Sequence, residues 1–410
     1  MLSAHSKIYG VSEKSIGSGG DGQARPLRVG IILDKPTQFE GPFFRYAGRR
    51  EDTKLKVIYL SANDRPVVFD PELGRAVDWG IDLLSGYEYS RIPPTYWLRW
   101  LWSELVRERY DCLIINGYSR APYAAALAIA RLRGIRVALR IDSVLFNVST
   151  MARRAYKRVA NLVLLRLYDH FFATGSLAKE YLTHYGVEPR RISLFPYTVD
   201  TEYFAERARQ VRPQRSRIQQ RHGIPENARV VLAVAKLTTR EAPWDLLRAL
   251  VGLNRPDCWT IVVGDGDQRK ALEGFVRGRH IENVVFTGYV PYTDLVSMYV
   301  CADVFVHAVN NEPWGVSVHE AIACGLPVVA SSRVGAAYDL ILPGRNGYVY
   351  QAGSEQDLGQ KLLLALEQLD PIEIEAANRE ILSRWNYAVS WSGIVEGCRR
   401  CLRPVENASS

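Results

Sequence analysis

From Leu27 to Tyr197 short apolar runs alternate with longer amphipathic stretches. Leu27–Leu33 (LRVGIIL), Leu55–Leu60 (LKVIYL), Leu113–Ile115, Val137–Arg140 and Phe171–Ala173 read as buried strands, with helices at Ala124–Leu132 and Leu177–Tyr185. Strands alternating with helices predict a parallel sheet covered on both faces. The polar stretch Glu206–Gln220, around Pro213, reads as a linker or an exposed helix. Alternation then resumes, with strands at Val230–Ala235, Thr260–Val263, Val284–Phe286, Val304–His307 and Pro327–Ala330. Helices are predicted at Trp244–Leu253, Gln268–Arg277, Tyr292–Cys301 and Val316–Cys324, the last stopped by Gly325 and Pro327. From Glu355 to Cys401 the pattern is helical only.

The pattern predicts an α/β chain of two doubly wound, Rossmann-like domains facing across a cleft. Residues 1–26 read as a flexible tail, 27–205 as the first domain, 206–222 as a linker, 223–385 as the second domain and 386–410 as C-terminal helix. Ligands of such sheets sit at the carboxyl ends of the strands, so the cleft is the natural site.

Composition narrows the classes. The chain is 410 residues long, 47% hydrophobic and 23% charged, which is ordinary globular composition. Its longest apolar run, around Ala124–Ala130, ends at Arg131 and falls short of a membrane span. The six cysteines are scattered apart from Cys398 and Cys401, and read as reduced thiols of a cytoplasmic protein. Charge is uneven. Residues 1–210 hold 31 Lys and Arg against 22 Asp and Glu, a balance of +9; the remaining 21 against 22 give −1. Met151–Tyr168 (MARRAYKRVANLVLLRLY) mixes basic with apolar residues. It is either a core helix with a solvated basic face or one suited to an anionic membrane surface or polyanionic substrate. No nucleic-acid module accompanies the charge, so no nucleic-acid partner is expected.

Candidate chemistry concentrates in Asn311–Ala323 (NEPWGVSVHEAIA). Pro313 and Gly315 make a tight strand-to-helix turn, after which Gly315 to Val318 expose backbone N–H groups at a helix N-terminus, an anion site by geometry and dipole. Glu312 and Glu320 flank that end, about 12 Å apart along a helix, the reach of a nucleoside diphosphate-sugar from ribose to sugar. By spacing alone they are equally helix-end carboxylates favoured by the dipole.

Two glutamates flanking seven residues within EPWGVSVHEAIACGLPVVAS resemble the signature of glycosyltransferase family 4. VGDGDQRKALE (Val263–Glu273), VVFTGYVPYTDLVSMYVCADVFV (Val284–Val306), VGAAYDLILPGRNGYVY (Val334–Tyr350) and, more loosely, FPYTVD (Phe195–Asp200) resemble it too. The match is ordered along the second half and looser over the first 200 residues. The resemblance implies a retaining GT-B enzyme moving a hexose from a UDP- or GDP-sugar to a hydroxyl acceptor, in polysaccharide or glycolipid synthesis, with no metal or other cofactor. It implies that Glu312 contacts the transferred sugar and Glu320 the ribose. Amides around Trp314, Gly315, Val316 and Ser317 would hold sugar and diphosphate, and Tyr289 and Val290 would line the base pocket. Gly264 and Gly266 would let the chain pass close to the nucleotide, although Gly-Asp-Gly is as often a simple turn. The C-terminal helices would cross back onto the first domain.

The chain departs from the family pattern in its cations. An Arg and, five residues on, a Lys are usual after the first strand of the second domain; here Lys236 and Glu241 stand there. Lys for Arg keeps charge but loses the bidentate fork, and Glu241 would repel a phosphate. We expect Arg240 to take over, or a rearranged site. In the first domain Gly41, in DKPTQFEGPFFRY, stands where the family brings a glycine-bearing loop to the diphosphate, and a Pro42 turn accounts for it equally. Asp142, where the family often has a histidine, is either a salt-bridged acid or an acceptor for sugar hydroxyls. An epimerase of the same fold and a non-catalytic nucleotide-sugar-binding partner remain as alternatives. The basic first half leans towards a sugar or lipid-linked acceptor at the cytoplasmic face of a membrane.

Overall fold

The computed structural model describes residues 25–61, 67–70, 75–78, 80–147 and 164–402. Nearly all of the predicted tail, and residues 151–163 of the basic run, lie outside these. In chain order the first half contains β1 (Leu27–Leu33), α1 (Glu40–Gly48), β2 (Thr53–Tyr59), a backbone hairpin of β3 (Val67–Asp70) and β4 (Arg75–Asp78), and β5 (Glu88–Arg91). It continues through α2 (Trp97–Arg107), β6 (Cys112–Asn116), α3 (Ala121–Leu132), β7 (Arg136–Ile141), β8 (His170–Ala173), α4 (Ser176–His184) and β9 (Ile192–Leu194). Apart from the hairpin, the strands form one parallel sheet in the order β5-β2-β1-β6-β7-β8-β9.

Alternating residues of β1 serve opposite faces, as the pleat requires. Val29 and Ile31 pack with Phe43 and Phe44 of α1, whereas Ile32 packs with Leu101 of α2 and Leu127 of α3. Both faces are covered, which is why the strand reads as a continuous apolar run.

The second half contains α5 (Thr201–Val211), α6 (Arg215–Arg221), β10 (Arg229–Val234), α7 (Pro243–Leu253), β11 (Cys258–Val263), α8 (Arg269–Gly278), β12 (Val284–Gly288) and α9 (Leu295–Cys301). Then come β13 (Val304–His307), α10 (Val316–Ala323), β14 (Val328–Ser331), α11 (Ala337–Leu340), β15 (Gly347–Tyr350), α12 (Glu355–Glu367), α13 (Pro371–Arg384) and α14 (Tyr387–Leu402). Its parallel sheet has the order β12-β11-β10-β13-β14-β15, the first-domain plan repeated.

The stretch 206–222, expected as a linker or exposed helix, lies in α5 and α6. Phe204, Ala208, Val211 and Ile218 bury one face of these helices in the second core, and Gln219 is buried with them, donating to the Cys301 carbonyl (3.0 Å). Asp200 caps α5 by accepting a hydrogen bond from Tyr203 N (3.0 Å).

The chain passes between the domains twice, after β9 and again at Trp385–Asn386. Beyond the second passage α14 packs on β8 and β9, burying Trp391, Ile394, Cys398 and Cys401 in the first-domain core. The two passages touch: Thr198 and Ser390 share a buried hydroxyl hydrogen bond of 2.7 Å. All six cysteines are free and buried. No helix among the described residues is long and apolar enough to cross a membrane.

Candidate active site

Each parallel sheet presents its carboxyl edge to the other domain, and the predicted residues gather on the second-domain side. Strand β13 ends at His307, and a loop carries the chain to Glu312. Glu312 makes a one-residue parallel bridge with Val334, its amide donating to the Arg333 carbonyl (2.9 Å). This fixes its backbone beside the α10 N-terminus. Gly315 has φ +107, and a Cβ there would come 2.9 Å from a Val334 methyl, so conformation and space both demand glycine. No side chain caps α10. Its leading N–H groups, at Val316 and Ser317, therefore face outwards with the positive end of the helix dipole.

The cation there is Arg240, at the end of the loop after β10. It donates to Glu312 Oε2 (3.0 Å) and to Glu241 Oε1 (2.6 Å). Glu241 is buried over a small apolar cavity lined by Ala233, Leu246, Val262 and Val306. Instead of facing the anion site as a lone negative charge, it anchors Arg240 from below. Lys236 is half-buried in the same loop. Gly264 and Gly266 have a specific packing role: a Cβ on either would collide with the carbonyl of Ala235 or Leu237, the residues flanking Lys236. These glycines let the Gly-Asp-Gly turn lie against the Lys236 loop. Asp265 accepts from Gly266 N (2.9 Å) and pairs with Arg269 (3.4 Å).

Glu320 sits one helical turn deeper and is only 4% exposed. Its carboxylate accepts from the Tyr299 hydroxyl (2.7 Å). Burial raises its pKa to about 7, opposed by the Tyr299 hydrogen bond. Below the helix start, burial, aided by Arg240, lowers the His307 pKa to about 4, so the imidazole is neutral. Its Nδ1 lies 3.5 Å from the Ser317 hydroxyl. Tyr289 and Val290 follow β12 and are half-buried, Val290 resting on the second core.

The first-domain side differs from expectation. Gly41 is the second residue of α1, where a Cβ would come 2.8 Å from the Leu83 carbonyl. Its smallness lets α1 pack against the Leu83 backbone. The preceding residue, Glu40, is the one that reaches the sheet edge. It pairs with Arg140 at 2.6 Å, both groups buried. The Arg140 guanidinium lies over the rings of Phe195 (3.8 Å) and Tyr197 (4.4 Å). Tyr197 in turn donates to Asp142 Oδ2 (3.2 Å), so Asp142 is a hydrogen-bonded acid at the mouth of β7. Nothing in the sequence pattern pointed to Glu40 or Arg140, and Tyr197 entered only within the looser FPYTVD stretch.

Two contacts carry the second-domain turn onto the first domain. The Trp314 indole N–H donates to the Tyr197 carbonyl (3.1 Å). Asp339 of α11 accepts from Ser176 N at the start of α4 (2.9 Å). Trp314 also packs on Trp385 (5.3 Å between ring centroids), whose carbonyl lies 3.0 Å from His319 Nε2. The turn that holds Glu312 is thus continuous with both passages between the domains.

Comparison with known proteins agrees with this geometry. Residues 214–379 match the family model for glycosyl transferases group 1, and residues 54–203 that for glycosyltransferase family 4. The chain is 29% identical over 232 residues to the sulfoquinovosyl transferase SQD2 of Arabidopsis thaliana, covering 55% of this chain but 42% of that protein. It is also 29% identical over 283 residues to the GDP-mannose-dependent alpha-(1-6)-phosphatidylinositol monomannoside mannosyltransferase of Mycolicibacterium smegmatis, covering 65% of this chain and 71% of that one. Among solved structures, HepE of Anabaena in complex with UDP and glucose superposes with a TM-score of 0.68 at 16% identity, over 90% of this chain and 98% of that one.

Proposed function

Because this chain belongs to the glycosyltransferases of family 4, with the GT-B fold, we propose that it moves a hexose from a UDP- or GDP-sugar to a hydroxyl acceptor with retention at the anomeric carbon. One observation carries the reading: the Glu312–Arg240 pair lies against the uncapped N-terminus of α10. An acid and a base paired with each other can be separated by a ligand carrying both sugar hydroxyls and a diphosphate. The diphosphate takes Arg240 and the helix N–H groups. Glu312, released, accepts hydrogen bonds from the transferred sugar.

In this reading Lys236, Arg240 and the helix dipole offset the charge that grows on the leaving diphosphate. No metal ion is needed for that task, so a chelator leaves the rate unchanged. The leaving phosphate oxygen takes the acceptor proton, and the bond from sugar to acceptor forms on the face from which the diphosphate departs. Glu320 binds the ribose, exchanging its hydrogen bond with Tyr299 for one from a ribose hydroxyl, and Tyr289 and Val290 flank the base. Asp142 stands on the opposite wall of the cleft as an acceptor for sugar hydroxyls, beside the Glu40–Arg140 pair.

The names of the relatives divide between the two bases: one depends on GDP-mannose, while HepE was solved with UDP. The phosphatidylinositol monomannoside enzyme supports an acceptor held by a lipid. A basic first half and buried free thiols fit work at the cytoplasmic face of a membrane. The deciding experiment is a calorimetric and thermal-shift panel of UDP, GDP and their hexose conjugates without added metal. Saturable binding of one series, weakened by Glu320→Ala, is the expected result. Silence across the panel sinks the donor-site reading.

A further inference from the structure

Two neighbouring helices of the first domain have an unusual outer surface. Helices α2 (WLRWLWSELVR) and α3 (APYAAALAIARL) pack against each other and on the same sheet face, through Leu101, Leu105, Tyr123 and Leu127. Their outward sides carry large apolar groups. Tyr96, just before α2, is 80% exposed, Leu98 is 52% and Trp102 is 47%; Leu132, at the end of α3, is 77%. Before its C-terminal Arg131 and Leu132, α3 shows solvent only small residues, Ala121, Ala124 and Ala128.

The charges on this surface have one sign. Across the two helices the single acid is Glu104, which is buried against Lys56 (2.8 Å) and the Tyr110 hydroxyl (3.0 Å). Glu108, just beyond α2, is also drawn to Lys56 (2.9 Å). Lys56 thus draws Glu104 inwards and neutralises Glu108, while Arg99, Arg107, Arg109 and Arg133 stay exposed. Exposed tryptophan, tyrosine and leucine interleaved with arginine, with the neighbouring Glu108 and Glu88 both paired to Lys56, match the interface of an anionic bilayer. The rings sit at the headgroup level and the guanidinium groups meet lipid phosphates.

Orientation adds a second argument. Helix α2 follows the carboxyl end of β5, and α3 that of β6, so both begin at the sheet edge that faces the cleft. Tyr96 and Leu98 therefore stand at the carboxyl end of the first-domain sheet.

We propose that the outer face of α2 and α3 is a docking surface for an anionic lipid bilayer, seating the carboxyl end of the first-domain sheet against the membrane. It rests on the proposed function only for its purpose, delivery of a lipid-held acceptor; the surface itself is independent of the donor site. The test is flotation of the full chain with phosphatidylcholine vesicles, with and without phosphatidylglycerol, at low and high salt. The unmodified protein floats with the anionic vesicles and is released by salt. Tyr96→Asn/Leu98→Gln/Trp102→Gln lowers the bound fraction about ten-fold or more, and Arg99→Gln/Arg107→Gln weakens it by a smaller factor. Unchanged melting curves for both variants exclude misfolding.

The proposal is overturned if the triple variant floats like the unmodified protein, or if anionic lipid makes no difference to binding. It is overturned as well if sedimentation finds a dimer that the triple variant dissolves, because a second copy then covers the face. Nucleotide thermal shifts on the same samples keep the two readings apart. Loss of flotation with an intact nucleotide shift touches only this surface, whereas flotation without any nucleotide shift touches only the donor site.

Discussion

The two sheets share one topological plan, yet the two sides of the cleft are built differently. On the second-domain side the groups that matter are largely backbone: the uncapped α10 N-terminus, Gly315 with its positive φ, and the glycines against the Lys236 loop. Glu312 and Arg240 are placed by that backbone. On the first-domain side the cleft edge is made of side chains from distant parts of the chain, Glu40, Arg140, Asp142 and Tyr197, held by a buried ion pair and ring stacking. A backbone site needs fixed residue types at fixed spacing. A side-chain site can be rebuilt with other residues for another acceptor. On the proposed function, the division ties donor recognition to the fold and leaves acceptor recognition free to vary upon it.

The strongest way to break this comparison is Glu312→Ala. Transfer should fall by a factor on the order of 10²–10³ with the melting temperature unchanged, as measured by product formation alongside a thermal melt. A side chain on the cleft-facing loop of the first domain that cost as much would erase the distinction. Next comes Arg140→Leu. Leaving Glu40 buried without its partner should cost about 3–5 kcal/mol in a denaturant melt, and the double variant with Glu40→Leu should regain much of it. A donor-binding constant that survives in the double variant would sharpen the division between the two sides.

The third prediction concerns pH. Glu320 titrates at about 7 when folded, against an ordinary value of 4.5, so the folded state holds the proton more tightly. That contribution to stability is complete below pH 4.5, declines between 4.5 and 7, and has lost about 3 kcal/mol above that range. His307 and His319, lowered from 6.5 to about 4, act in the opposite sense: their contribution is present above 6.5 and lost as the pH falls towards 4. Glu320→Gln should therefore flatten the stability profile between pH 6 and 7 and leave an acid-side loss from the histidines. A profile that still falls towards pH 7 in this variant would remove Glu320 as the cause. The smallest effect is expected of Trp314→Phe, which removes one hydrogen bond to the Tyr197 carbonyl. It should cost about 1 kcal/mol and widen the distribution of distances between spin labels placed on the two domains.

Most strands and helices could be read from the sequence because buried parallel strands are continuous apolar runs; Val304–His307 has the same limits in both. The edge strands β5 (EYSR) and β9 (ISL) escaped, being short and half-covered, with too few apolar residues to form a run. The polar helices α5 and α6 looked like a linker because only one narrow face of each is apolar. Glu312, Glu320 and Gly315 stood out through the stretch that resembles the family signature, since by spacing alone the two glutamates read equally as helix-end carboxylates. Glu40 and Arg140 were not, since they stand 100 residues apart, and only the sheet order places β1 and β7 close enough for them to meet. Gly41 drew attention in place of its neighbour because a glycine near a strand end suggests a ligand more readily than it suggests the Leu83 carbonyl.

The contact between Thr198 and Ser390 has a mechanical consequence. Two chain passages set well apart would act as a door's two hinges and restrict the halves to a single swing. Here they are pinned together by a 2.7 Å hydroxyl contact and leave the body of the molecule at one point. The halves are joined covalently at that point, and the hydrogen bonds from Trp314 to the Tyr197 carbonyl and from Ser176 N to Asp339 hold them together beyond it. The same joint makes α14 part of the bearing: cutting the chain after Trp385 would strip the first-domain core of Trp391 and Ile394 and leave the two halves on a single tether.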